Sequence, residues 1–178
     1  IKMTGQNKVW LSGNVLFRSL LLRDADSISM ASNSIQDELN VFEGEGIQAD
    51  WSYHQHGHQL QFGNYGLSYL EDMLRWYQIL NNTPFAFEEN KVDILRNYIL
   101  NGQRWISWND KFDVSVCGRQ IFPDEPARKA ERLNKVLETM VIVDDGYSEE
   151  YQNALGYKTL SGNKHFWRSD FHVQRTND

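Results

Sequence analysis

Apolar residues separated by three or four positions recur in short runs along most of this chain, and that periodicity restricts it to packed amphipathic helices. The first run, Leu11, Val15, Leu16, Leu20 and Leu22, lies between Val9 and Arg23 and stops at the Asp24-Ala-Asp26 turn. Ile28, Ala31, Ile35 and Leu39 follow, ended by Gly44 and Gly46. Leu67, Leu70, Leu74 and Tyr77 make the next stripe, broken by the turn-forming cluster Asn81 to Pro84. Val92, Leu95 and Ile99 come next, with Glu88 and Glu89 favourably placed near the helix start and Asn101-Gly102 at its end. Ala130, Leu133, Leu137 and Met140 mark a helix from about Ala127 to Val141, and a short one is expected from Ser148 to Leu155. No such helix buries its apolar face alone, so a mainly α fold of stacked antiparallel helix pairs is expected, as in a toroid or solenoid. No sequence repeat marks the pairs.

A chain of 178 residues buries roughly 70% of its unfolded surface, enough for a real core. It is 40% hydrophobic and 13% aromatic, and no stretch approaches the roughly 20 apolar residues of a membrane span, so no membrane partner is expected. A formal charge of −6 argues against a general nucleic-acid binder, which needs clustered positive charge to displace counterions from phosphates. A basic groove for a polyanion remains compatible with it. Cys117 stands alone, which excludes an internal disulfide and a cysteine-based zinc site. Neither end carries a signal-peptide pattern; the first residue is Ile1 and the chain ends Thr-Asn-Asp, so a longer precursor carrying a targeting segment is expected.

Three stretches do not fit the helical pattern. The first is Tyr53 to Gly66, rich in His, Tyr and Gly. On a strand, His54, His56 and His58 would face one way and could ligate zinc, but no carboxylate or Cys sits at a familiar ligand spacing, and the bland reading is loop histidines bonded to backbone. Tyr65 is flanked by Asn64 and Gly66, and Gly57, Gly63 and Gly66 would let a bulky ligand approach it closely. The second is the aromatic segment Trp105 to Phe122. Trp105 and Trp108 are candidates for stacking on sugar rings, with core packing as the alternative. Asp110 and Asp113 form a possible acid pair for hydrolysis or are solvated caps. Arg119 follows an apparently buried Val114-Ser-Val116 run; a surface salt bridge is the usual fate of such an arginine. The third is the C-terminal stretch from Gly162, where Phe171 and Val173 begin a strand pattern with no visible partner. It is expected to be the entry into a β domain.

Taken together, Thr4-Gly-Gln-Asn7, then Ser52-Tyr-His-Gln-His56-Gly through Gly63-Asn-Tyr65-Gly66, then Val114-Ser-Val to Gly118-Arg119-Gln-Ile121, resemble the catalytic region of the polysaccharide lyases of family eight. The His-Gln-His-Gly form is most similar to the chondroitin AC lyases. The resemblance covers nearly the whole chain in order, and Gly162 to Phe171 is similar to the segment where these enzymes pass from a helical domain into a large β-sandwich. It implies that residues 1–157 form part of an incomplete (α/α) toroid, with 158–178 as linker and first strand of a β domain whose remainder would be the chain's partner. It also implies an acidic polysaccharide substrate, a secreted or periplasmic location, and a β-elimination without metal or other cofactor.

By motif match, Asn7 corresponds to the asparagine that binds the uronate carboxylate, His56 to the histidine beside the reacting carbon, Tyr65 to the tyrosine that takes the C5 proton and returns one to the leaving oxygen, and Arg119 to the arginine beside it. Asn64, Trp105, Trp108 and Arg128 are candidates for substrate contact. Removing a proton alpha to a carboxylate puts a second negative charge next to the first, so an amide hydrogen-bonded to those oxygens helps most in the transition state. A phenol acting as base must first lose its own proton, which a nearby cation favours. The sequence departs from the family where Pro123 occupies the place of a usual second arginine; Arg128 is the candidate to reach in from the next helix. A non-catalytic glycan-binding relative and a toroidal hydrolase using Asp110 or Asp113 are the alternatives.

Overall fold

A computed structural model describes residues 3–155 and 160–176. Helices α1 (Gly5–Leu22) and α2 (Ala25–Gln36) form an antiparallel pair joined by two residues. Arg23 takes a left-handed φ of 55° and its N–H bonds the Leu20 carbonyl, closing α1, while the Asp24 carboxylate accepts from the Ser27 N–H and opens α2. The expected stop at Asp24 is therefore also a start. The buried face of α1 differs from the expected stripe: Val9, Ser12, Gly13, Leu16 and Ser19 point inward, whereas Leu11, Leu20 and Leu22 stand exposed. Close packing selected small residues over large apolar ones. A Cβ at Gly13 would lie 2.8 Å from the indole of Trp76 on α3 (Leu67–Leu80), and the Phe17 ring packs 4.8 Å from that indole.

Helix α3 runs between α1 and α5 (Glu125–Val143), burying Leu67, Leu70 and Leu74 as their spacing predicts. Helix α4 (Glu89–Asn97) continues through a π-helical turn over Tyr98–Gly102, and α6 (Ser148–Ala154) packs on α5. Arg96 of α4 ties these parts together. Its guanidinium meets Asp144 at 2.9 and 3.0 Å, and the Tyr151 hydroxyl donates to the same carboxylate at 2.6 Å. That hydrogen-bonded pairing raises the guanidinium's pKa, and with both partners buried the pair acts as a fastener whose disruption would strand a charge.

Three antiparallel strand pairs decorate the helices: β1 (Gly46–Ile47) with β2 (Tyr53–His54), β3 (Ser107–Trp108) with β4 (Lys111–Phe112), and β5 (Gly162–Phe166) with β6 (Phe171–Arg175). The last pair corrects the expectation of a single unpartnered strand. Gly162 pairs with Arg175 and Phe166 with Phe171, so the edge of β6 finds its partner within the same stretch. The Arg168 N–H at the hairpin's tip donates to Asp50 at 2.6 Å, and Phe166 packs edge-on to Phe62 at 5.1 Å. The expected boundary between residues 157 and 158 lies outside the described residues. A second correction concerns Val114-Ser-Val116, which forms a 3₁₀ turn with Val116 buried and Val114 exposed.

Candidate active site

Tyr65 sits in the π-helical turn Phe62–Gly66, which runs directly into α3. Single π turns of this kind recur at functional sites. The turn is held from beneath. A Cβ at Gly66 would stand 2.6 Å from the Tyr98 hydroxyl, and one at Gly63 would stand 2.8 Å from the Cys117 sulfur. These two glycines therefore serve interior packing, a correction to the expectation that they open Tyr65 to a ligand. Around Tyr98 the buried rings of Tyr53 and Tyr69 gather at 5.9 and 6.2 Å. Burial pushes all three phenols well above the ordinary tyrosine pKa, so they stay neutral. Tyr65 itself is half-buried.

The histidine loop meets Tyr65 by a tight turn. His56 and Gly57 take positive φ values of 59° and 78°, a pair of left-handed residues for which glycine and, among others, histidine are suited. The exposed imidazole of His56 is thereby set edge-on to the Tyr65 ring, centroids 4.9 Å apart at 85°. The three histidines do not converge. His54 shares a 2.7 Å hydrogen bond between Nε2 and the Ser169 hydroxyl, and His58 meets the His54 ring edge-on at 5.7 Å. Among the described residues no group of three His, Cys, Asp or Glu side chains is placed to hold a metal ion.

Acidic side chains bind the start of α1 to this loop. The Gly5 N–H donates to Glu38 at 2.7 Å and the Gln6 N–H to the Gln55 side chain at 3.2 Å, satisfying donors that a helix start leaves free. Glu45 accepts from the Thr4 hydroxyl at 2.6 Å, the Gly57 N–H at 3.0 Å and the Gln55 amide. Asn7 and His56 each directly follow a residue of the Gln6–Gln55 contact, so their backbones are held on adjoining segments. One turn beyond Asn7, on the same helix face, the Trp10 ring lies 6.2 Å from Tyr65.

Arg119 arrives by backbone packing. Gly118, at φ 58°, packs against two side-chain ends: a Cβ there would lie 2.7 Å from the Gln61 side chain and 3.4 Å from that of Asn64, the neighbour of Tyr65. The exposed Arg119 follows it directly. Below, the fully buried Lys129 ammonium donates to Gln120 at 2.5 Å and pairs with Glu125, burial holding its pKa down. The other candidates lie apart from this cluster in their contacts. Arg128 is exposed and pairs with Glu125 at 3.2 Å. Trp105 and Trp108 are engaged by Arg175, which donates to the Trp105 carbonyl at 2.8 Å and covers the Trp108 ring at 4.7 Å. Asp113 accepts from the Ser115 N–H and hydroxyl at 2.9 and 2.7 Å, as a cap does.

Sequence reasoning passed over Trp10, Glu38, Glu45 and Gln55. The i to i+3 spacing from Asn7 could have found Trp10; nothing local marks the two glutamates.

The helical scaffold sets His56 against Tyr65 at the start of a helix, with the segments that carry Asn7 and Arg119 packed on the same loop. Residues 1–159 match the family model described as polysaccharide lyase family 8, N terminal alpha-helical domain. The chain belongs to that family, and its helices are a section of the family's α-helical domain. It is 29% identical over 181 residues to the chondroitinase-AC of Pedobacter heparinus, covering 96% of this chain and 26% of that protein. A hyaluronate lyase of Cutibacterium acnes is 28% identical over 126 residues, with 70% and 15% covered. A solved chondroitinase AC lyase superposes with a TM-score of 0.90 at 29% identity, over 99% of this chain and 27% of that one. The chain thus spans about a quarter of the length of the chondroitinases it matches.

Proposed function

We propose that this chain carries the reacting side chains of a glycosaminoglycan lyase that cleaves chondroitin or hyaluronan by β-elimination, acting outside the cytoplasm together with a β domain of the same protein. The observation that carries the reading is the edge-on pairing of His56 with Tyr65 at the mouth of α3, with the start of α1 tied alongside. Asn7 hydrogen-bonds the uronate carboxylate, so that negative charge spreading onto those oxygens in the transition state is stabilised where it develops. The Tyr65 phenolate takes the proton from C5, the C4–O bond breaks as C4=C5 forms, and the leaving oxygen receives a proton from the same phenol, which ends as phenolate. One residue so serves as base and acid in turn. Arg119 brings a positive charge to the turn packed against Asn64, the neighbour of Tyr65, and His56 borders the reacting carbon.

The test uses the full-length protein with chondroitin, hyaluronan, alginate and xanthan, following the conjugated ultraviolet absorption of an unsaturated uronate. Product is expected from chondroitin or hyaluronan, and Tyr65→Phe is expected to lower turnover by about 10³-fold while leaving saccharide binding. Reducing ends without the chromophore would favour hydrolysis instead, and binding without any product a non-catalytic relative. Retained turnover in Tyr65→Phe would remove Tyr65 from the chemistry.

A further inference from the structure

Trp10 combines three properties that are hard to reconcile with a packing role alone. It is large, it is 46% exposed, and it does not swing freely. Its indole N–H donates to the Asp72 carboxylate at 2.8 Å. Asp72 is itself buried on α3, takes a second hydrogen bond from the Gln6 amide at 2.5 Å, and pairs with Arg75 at 3.0 Å. The polar edge of the indole is therefore turned inward and spent, which fixes the ring and leaves its apolar surface to the solvent side. The Tyr65 ring is 6.2 Å away and tilted by 48°, and the His56 ring lies 4.9 Å from that of Tyr65. The exposed leucines at the end of α1, Leu21 and Leu22, share neither the anchor nor the neighbour.

We infer that Trp10 is a further substrate-binding residue, a preset platform on which a pyranose of an acidic polysaccharide stacks beside the reacting sugar. This rests on the reading of Tyr65 only for the word reacting; the stacking itself requires only a carbohydrate. The C–H face of a pyranose matches an indole face, and because the ring is already fixed by Asp72 little freedom is lost on binding. Since the N–H is used internally, recognition runs through the ring and not through a hydrogen bond to sugar. Phenylalanine, which keeps an apolar ring but loses the anchor, should therefore fall between tryptophan and alanine.

The experiment uses the full-length protein and a chondroitin hexasaccharide. Steady-state kinetics are measured for wild type, Trp10→Ala and Trp10→Phe, and hexasaccharide Kd is measured by calorimetry for the same three proteins on a Tyr65→Phe background. Trp10→Ala is expected to raise KM and Kd by about tenfold with kcat within about threefold of wild type. Trp10→Phe is expected to stay within about threefold in every constant, with unfolding midpoints of all variants within about 2 °C. Unchanged KM and Kd in Trp10→Ala overturn the inference, as does a loss that Trp10→Phe shows equally and that follows a fall in the unfolding midpoint, since the indole would then serve packing. If the wild type makes no unsaturated product, the lyase reading fails while the Kd comparison still decides the platform.

Discussion

The two segments that carry Tyr65 and Arg119 touch each other yet are built on opposite plans. The turn Phe62–Gly66 is set into the core, with Phe62, Gly63 and Gly66 buried and Tyr98, Cys117 and Phe112 pressed against its glycines. The segment Val114 to Phe122 lies on the outside, with Val114, Ile121 and Phe122 exposed and only Val116 and Cys117 reaching inward. The comparison teaches that the candidate base is positioned by close packing, where a displacement costs contacts on every side. The candidate cation is carried by a surface turn anchored at Cys117, Gly118 and Gln120. A proton-transferring group tolerates little misplacement, whereas a charge acts over a longer reach.

The largest effect expected from this contrast is on stability. Gly66→Ala places a Cβ 2.6 Å from the Tyr98 hydroxyl and 3.0 Å from the Gln61 carbonyl, and should cost about 3 kcal/mol by urea unfolding. Gly118→Ala meets mainly the far end of the Gln61 side chain at positive φ and should cost about 1–2 kcal/mol. If Gly118→Ala proves the more damaging, the contrast between core turn and surface turn is broken. Arg119→Ala sharpens it from the other side. On the lyase reading, full-length turnover should fall about 10²-fold while the unfolding free energy changes by less than about 0.5 kcal/mol; equal loss of both would make Arg119 structural.

The smallest effect concerns pH. His54 is buried against Ser169 at the tip of the β5–β6 hairpin, and burial, followed by the charges of His58 and Arg168 and opposed by Asp50, lowers its pKa from about 6.5. The folded protein thus holds this proton less well than the unfolded chain. Stability from the neutral imidazole is present above about pH 6.5 and is lost as the pH falls through the lower, folded value. The protection of the amides at residues 168–170, taken relative to their intrinsic exchange rate at each pH, should fall between about pH 7.5 and 5.5, and His54→Gln should flatten that dependence. An unchanged profile would detach His54 from the hairpin's docking.

Much of the helical order was legible because it is written in neighbouring residues. The stops at Asp24, Asn81 and Gly102, the inward stripe of α3 and the limits of α5 and α6 follow from periodicity and turn chemistry over a few positions. The proximity of His56 and Tyr65 was legible through their shared motif. What misled was size: the large leucines of α1 suggested its buried face, but close contact with Trp76 chose Gly13 and Ser12 instead. In sequence the glycines beside Tyr65 look like room for a ligand, because nothing local shows Tyr98 and Cys117 packed behind them.

The sequence by itself determined the helical class, the positions of most helix ends and the residues offered for chemistry, since each depends on spacing within one segment. Only the tertiary structure decided that β6 has a partner, that Glu45 ties the start of α1 to the histidine loop, and that Trp10 stands locked beside Tyr65. The last two are contacts between segments distant in the chain, fixed by the pairing of polar groups and by packing, and no local pattern encodes which distant partner will satisfy them; the hairpin is local, but its docking on Asp50 and Phe62 is not.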